Sequence, residues 1–258
     1  MPSRHRQARL HRVDRDRHGI ERVYVHDKVH DRFLEELTRR AGTVHAGTDA
    51  GAQIGPMTMP SQVEVVRRHV ADALSRGGRA VVGGSEAVGD RFIQPTVLVD
   101  VPEDSDAVRQ ETFGPTVTVR RVRDMDEAVK LANATRDGLG SAVFSQKRGP
   151  ELARRLRSGM TAINSVISFA AVPGLPFGGV GDSGFGRIHG PDGLKEFTYA
   201  KAVTRVRFKP VLNLTTFDRT PEQDTLVASV LTALHGRATQ LPKLPRRPLR
   251  PGQGRTRP

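Results

Sequence analysis

Short runs of β-branched and apolar residues alternate along this chain with longer stretches in which apolar residues recur every three or four positions. RVYVH at 22–26 predicts a strand. Asp27 then stands where a helix cap belongs, ahead of Val29, Phe33, Leu34 and Leu37 on one face. The turn-rich GTDAGAQIGPM follows. Pro60 and Ser61 open a second helix that carries Val63, Val66, Val70 and Leu74, and Gly77 and Gly78 stop it. Further strands are predicted at 80–82, 94–100, 116–119, 141–144 and 161–163. Between them, Asp124 and Glu127 form a capping-box variant for a helix with a buried face of Ala128, Val129 and Ala132, ended by Gly138. Another helix is predicted over 150–157. Strands spaced by helices of about ten to fifteen residues predict an α/β fold, a mostly parallel sheet with helices on both faces.

After Lys195 the pattern changes. YAKAVTRVRF, from Tyr199 to Phe208, predicts a long β arm. Thr220, Pro221 and Gln223 then begin a C-terminal helix with a capping-box signature, carrying Val227, Val230, Leu231 and Leu234 and closed by Gly236. No internal repeat is visible.

Charge changes this picture only at the ends. The net charge is +13, yet residues 1–18 carry +4 of it, residues 237–258 carry +7, and the middle is nearly balanced at +2. The Arg- and His-rich leader has no periodicity, and the tail is rich in Pro, Arg and Gly, so both ends are expected to be disordered. The expected organisation is a leader at 1–18, a catalytic-type domain at 19–198, an arm at 199–213, a helix at 214–236 and a tail at 237–258. The basic ends lack interleaved aromatics or a groove-reading motif, which places a nucleic-acid role last. No apolar run reaches a membrane span and no apolar segment follows the basic N-terminus, so a cytoplasmic protein is expected.

Several chemical signatures fail. Gly184, Gly186 and Gly190 are spaced one residue too far for a dinucleotide fingerprint, and no strand precedes them. Gly181-Asp182-Ser183-Gly184 is followed by Phe185 where a nucleophile elbow needs glycine. Gly83-Gly84 lacks the ending of a phosphate loop. His26 and His30 share a helix face without a third ligand, so no metal site is expected. The 258 residues contain no cysteine, which excludes disulfides, thiolate metal sites and thiol nucleophiles.

Four stretches occur in an order that resembles the C-terminal, catalytic-domain half of the NAD(P)-dependent aldehyde dehydrogenase superfamily. GIERVYVH at 19–26 resembles the strand just after that family's catalytic cysteine. Glu111-Thr112-Phe113-Gly114-Pro115 matches its E-x-F-G-P motif, and GMTAIN at 159–164 its G-x-x-x-I/V-N strand. LPFGGVGDSGFGR at 175–187, with Glu196-Phe197-Thr198 and Lys201, matches its closing signature.

The resemblance implies roles by position. Glu111 accepts hydrogen bonds from the nicotinamide ribose of NAD or NADP, and Phe113 packs against the nicotinamide. Phe177 and Phe169 line the aldehyde pocket. Outside the motif context, Glu111 is equally a solvated carboxylate at a strand end and the phenylalanines are core. Gly178, Gly179 and Gly184 are expected to permit tight turns rather than touch ligand. The arm at 199–208 is implied to pair with a neighbouring subunit, in a homo- or hetero-oligomer. His189-Gly190, with Ile188 where many relatives have Glu, is nearer the class-three branch, which implies aliphatic or aromatic aldehydes.

The same resemblance exposes a gap in the chemistry. The family's reaction needs a thiolate that attacks the aldehyde and forms a thiohemiacetal, which passes hydride to the nicotinamide. Arg17 occupies that position here, and a guanidinium is no nucleophile. The family's general-base glutamate, its oxyanion asparagine and most of its dinucleotide domain lie upstream of the matching region. Residues 1–18 do not resemble the family, as if foreign sequence were joined to an intact reading frame near Gly19. The expectation is a catalytic-domain fragment, inactive alone. The alternatives are half of a split enzyme or an interaction partner of a full-length relative.

Overall fold

In the computed structural model the described residues are 19–208 and 220–236. They fall into two units, one ending at Tyr199 and one beginning at Ala200. The first unit contains β1 (Arg22–His26), α1 (Asp27–Ala41), α2 (Pro60–Ser75), β2 (Arg79–Val82), β3 (Thr96–Val99), α3 (Asp106–Arg109) and β4 (Thr116–Val122). It continues with α4 (Met125–Ala132), β5 (Gly140–Val143), α5 (Gly149–Arg155), β6 (Met160–Ile163) and α6 (Gly190–Lys195). The second contains α7 (Pro221–His235).

The expected α/β architecture is present. β1, β4, β3 and β2 form a four-stranded sheet in that order, parallel at β1–β4 and β4–β3 and antiparallel at β3–β2. β5 and β6 make a separate parallel pair. Side-chain alternation along β3 divides the core between the sheet's two faces. Leu98 packs with Val63, Val66, Val70 and Ala73 of α2, whereas Val97 and Val99 pack with Leu34 and Leu37 of α1. Helices therefore cover both faces. All four β3 residues are buried, as expected of a central strand.

Three local expectations need correction. α1 is capped by His26, whose Nδ1 accepts the Lys28 N–H at 3.1 Å, and Asp27 is its first residue. An imidazole acceptor supplies the same missing partner as a carboxylate. The apolar residues of α1 and α4 are not all buried. Val29 and Phe33 are 45% and 38% exposed, and α4 has no fully buried residue. The run from Tyr199 to Phe208 forms no strand. A strand exists only where a neighbouring backbone completes its ladder, and none among the described residues does so.

The capping details of α4 and α7 follow the sequence. Asp124 accepts the Glu127 N–H at 2.8 Å, and Glu127 accepts the Arg123 N–H at 3.0 Å. The Thr220 N–H donates to Gln223 Oε1 at 3.2 Å. α3 and α6 were not anticipated, being too short for periodicity to announce. The expectations for residues 1–18 and 237–258, and for the parts of the arm and C-terminal helix between 209 and 219, lie outside the described residues. No helix among the described residues is long and apolar enough to cross a membrane.

Candidate functional site

The segment between α3 and β4 is the E-x-F-G-P sequence, held mainly by its middle residue. Thr112 is only 3% exposed and is anchored by three side chains, one just before β1 and two on α2. Its N–H donates to both carboxylate oxygens of Glu21 at 3.0 Å, and its carbonyl accepts from Gln62 Nε2 at 2.6 Å. Its hydroxyl lies 3.0 Å from His69 Nδ1. Glu21 Oε1 also takes the Phe113 N–H at 2.7 Å. With Thr112 turned inward, its neighbours turn outward: Glu111 is exposed and Phe113 is 40% exposed. Phe113 has φ +47°, a left-handed conformation that costs a non-glycine residue about 1 kcal/mol or more and persists only when its surroundings fix it.

The anchors have their own supports. Burial pushes the Glu21 carboxyl above the usual carboxylate range, and the two backbone N–H groups partly offset that shift. Burial likewise lowers the pKa of His69, which packs on the core face of α2 between Val66 and Val70. Asp72, one turn further along α2, accepts Ser105 Oγ–H at 2.7 Å and the Asp106 N–H at 2.9 Å, fixing the start of α3. Arg76 first, and then Ser105, hold the Asp72 carboxyl at about 2. Gly114 sits so close to α2 that a Cβ there would meet Val66 Cγ2 at 2.7 Å.

Opposite this loop stand β5, β6 and the 175–187 segment. Asn164, with φ +55°, accepts the Ser145 N–H at 2.9 Å and donates to the Ser145 carbonyl at 3.2 Å, joining the ends of β6 and β5. Gly159 lies against Gly178: a Cβ at 159 would come 1.8 Å from the Gly178 carbonyl oxygen, so neither β6 nor the glycine-rich segment could hold its place. Arg187 Nη1 binds the Gly179 and Gly186 carbonyls, both at 2.8 Å.

A cavity of about 700 Å³ lies between the two sides. Glu111, Phe113 and Phe169 line it; Phe177 does not. The Phe177 ring centroid lies 6.3 Å from that of Phe169 and 5.8 Å from that of His189. Phe169 and Phe177 are half-buried rather than core residues. Arg17 lies outside the described residues. Among the described residues, no group of three His, Asp or Glu side chains is arranged to hold a metal.

The sequence reading missed Glu21, Gln62, His69 and the anchoring role of Thr112. His69 had a visible signal, since it falls on the apolar face of α2 at the spacing of Val63, Val66 and Val70. Glu21 had none, because the partners that explain it lie about ninety positions away.

Residues 18–203 match the aldehyde dehydrogenase family. The chain belongs to that family. The NADP(+)-dependent succinate-semialdehyde dehydrogenase of Deinococcus radiodurans is 43% identical over 191 residues, covering 72% of this chain and 39% of the relative. A putative succinate-semialdehyde dehydrogenase [NADP(+)] 2 of Mycobacterium ulcerans is 37% identical over 196 residues, covering 73% of this chain and 38% of the relative. The solved structure of Gox0499 superposes with a TM-score of 0.66 at 37% identity, over 72% of this chain and 41% of that one. This aldehyde dehydrogenase family chain thus spans about two fifths of the length of the relatives it matches.

Proposed function

We propose that this chain forms the nicotinamide- and aldehyde-facing wall of an NAD(P)-dependent aldehyde dehydrogenase and has no turnover by itself. One observation carries the second half of that statement: none of its 258 residues is a cysteine. Oxidation of the family type begins with a thiolate adding to the carbonyl carbon. Two of the hydroxyls that line the cavity, Ser141 and Ser158, bond to each other at 2.7 Å, to Thr161 at 2.8 and 3.1 Å and to the Met160 carbonyl, and no basic side chain is among these partners to take a proton.

NAD or NADP supplies the hydride acceptor when bound, and NADP(+) is the form for which the two relatives are named. The chain's own share is positional. The Glu111 carboxylate suits the two adjacent hydroxyl donors of a ribose, and the exposed face of Phe113 suits a flat ring. Both project from a loop whose bonds are completed internally, so neither need move when a ligand arrives. Phe169, with Phe177 beside it, presents an apolar surface to the aldehyde.

The purified chain, mixed with NAD or NADP and a series of aliphatic, aromatic and carboxylate-bearing aldehydes, is expected to give no aldehyde-dependent rise in reduced cofactor absorbance. A protein-dependent rise with any of them overturns the reading.

A further inference from the structure

We propose that the cavity between β1 and β5 is the slot of a missing β-strand, and that its occupant is an extended segment from the part of an aldehyde dehydrogenase chain that precedes the region matched here. This rests on the family reading above. It adds a definite docking surface, with named backbone groups that face the partner.

The two strands that flank the cavity each have one edge engaged. In a parallel ladder alternate residues of a strand turn their N–H and C=O toward a given neighbour. The Thr118 N–H donates to the Glu21 carbonyl at 2.8 Å, in the register Arg22 opposite Thr118. Glu21, Val23 and Val25 therefore face β4, and Arg22, Tyr24 and His26 present their backbone groups to the other side. On β5, Leu139 O takes the Met160 N–H at 3.2 Å and Val143 O the Asn164 N–H at 2.8 Å. Residues 139, 141 and 143 therefore face β6, and Gly140 and Ala142 face away from it. Among the described residues, β1 pairs only with β4 and β5 only with β6.

Every residue of β1 and of β5 lines the same cavity. α4 packs against β1 and β4 and also against α5, which packs against β5 and β6, so the two sheets are held side by side with the opening between them. Val29 and Phe33 of α1 and Ala128 and Val129 of α4 face the opening. These residues occupy positions with helical core spacing, yet among the described residues they find no core to join. A strand in the slot completes two hydrogen-bonded edges and covers these side chains, converting two sheets into one.

The slot also discriminates between occupants. It calls for a strand with both edges free. The β1 or β5 of a second copy has already committed one edge, so either strand can extend a sheet but cannot bridge two. The family match begins at residue 18, next to β1, and the relatives carry roughly three fifths of their length outside the matched region. That portion is the source we assign.

The test mixes the full 258-residue chain with the purified N-terminal portion of the Deinococcus radiodurans relative, ending where its match to this chain begins, and follows amide hydrogen exchange residue by residue. Exchange at Arg22, Tyr24, Gly140 and Ala142 is expected to slow tenfold or more on mixing. Val23 and Val25, already bonded to β4, change little. Ala142→Pro removes only an outward N–H and leaves the bonds to β6 intact, so it is expected to keep the circular dichroism of the parent while weakening association tenfold or more. Three results overturn the proposal. They are association without slowing at those four amides, slowing in the chain alone that grows with its own concentration, and no association up to about 100 μM, a weak affinity on the usual scale. Turnover by the isolated chain would instead refute the proposed function, while the exchange pattern judges the slot separately.

Discussion

Glu21 Oε1 accepts the Phe113 N–H at 2.7 Å, a bond between residues 92 positions apart. It joins the start of β1 to the loop that projects Glu111 and Phe113, and it holds Phe113 at φ +47°. Glu21→Ala leaves the partly buried Thr112 N–H and the exposed Phe113 N–H without that acceptor and releases the backbone of Phe113. The expected loss is about 1–3 kcal/mol of unfolding free energy, read from urea denaturation. Glu21→Gln keeps one acceptor oxygen and should lose less. Equal losses for the two variants would mean that the carboxylate acts through its charge rather than as an acceptor for the loop.

His69 gives the loop a pH dependence. Burial holds its pKa below the usual 6.5, so the unfolded chain binds more protons than the folded one as pH falls through 6.5. The stability it permits is complete above that value and is lost on acidification toward the lowered folded pKa. Glu21 works in the opposite direction, since its raised pKa makes proton uptake favour the folded state at lower pH. The difference between the parent and His69→Gln isolates the imidazole. Urea midpoints measured from pH 7.5 to pH 5 should fall more steeply for the parent than for the variant, and parallel curves would remove His69 from this role.

Gly114→Ala places a methyl group 2.7 Å from Val66 Cγ2 and is expected to destabilise the chain by about 1–3 kcal/mol. Val66→Ala opens space at that point at its own cost. The double variant should therefore be more stable than the sum of the two single losses, by about 0.5 kcal/mol or more. Strict additivity would show that the loop shifts away from α2 instead of pressing on Val66.

The elements most legible in the sequence were those whose signal is local. β1, α2, β4 and the capped start of α4 follow from runs, periods and capping pairs within a few residues of each other, and the E-x-F-G-P residues were visible as a short motif. The apolar face of α1 was legible only in outline. Periodicity grouped Val29 and Phe33 with Leu34 and Leu37, yet only the latter pair meets the sheet, because a pattern of apolar positions does not state what each one will touch. The same limit applies to the run from Tyr199 to Phe208: its composition favours a strand, but a strand also needs a neighbour. Glu21 stayed hidden because an acidic residue at the start of a strand looks like any solvated carboxylate until its distant partners are known.

The inward turn of Thr112 has an implication for how this loop tolerates change. The bonds that Glu21, Gln62 and His69 make to it end on Thr112 and on the main chain of Phe113 rather than on the Phe113 ring. The side chain at 113 can vary in chemistry while those supports stay in place, so ligand preference there is free to drift, or to be engineered, with little penalty to folding.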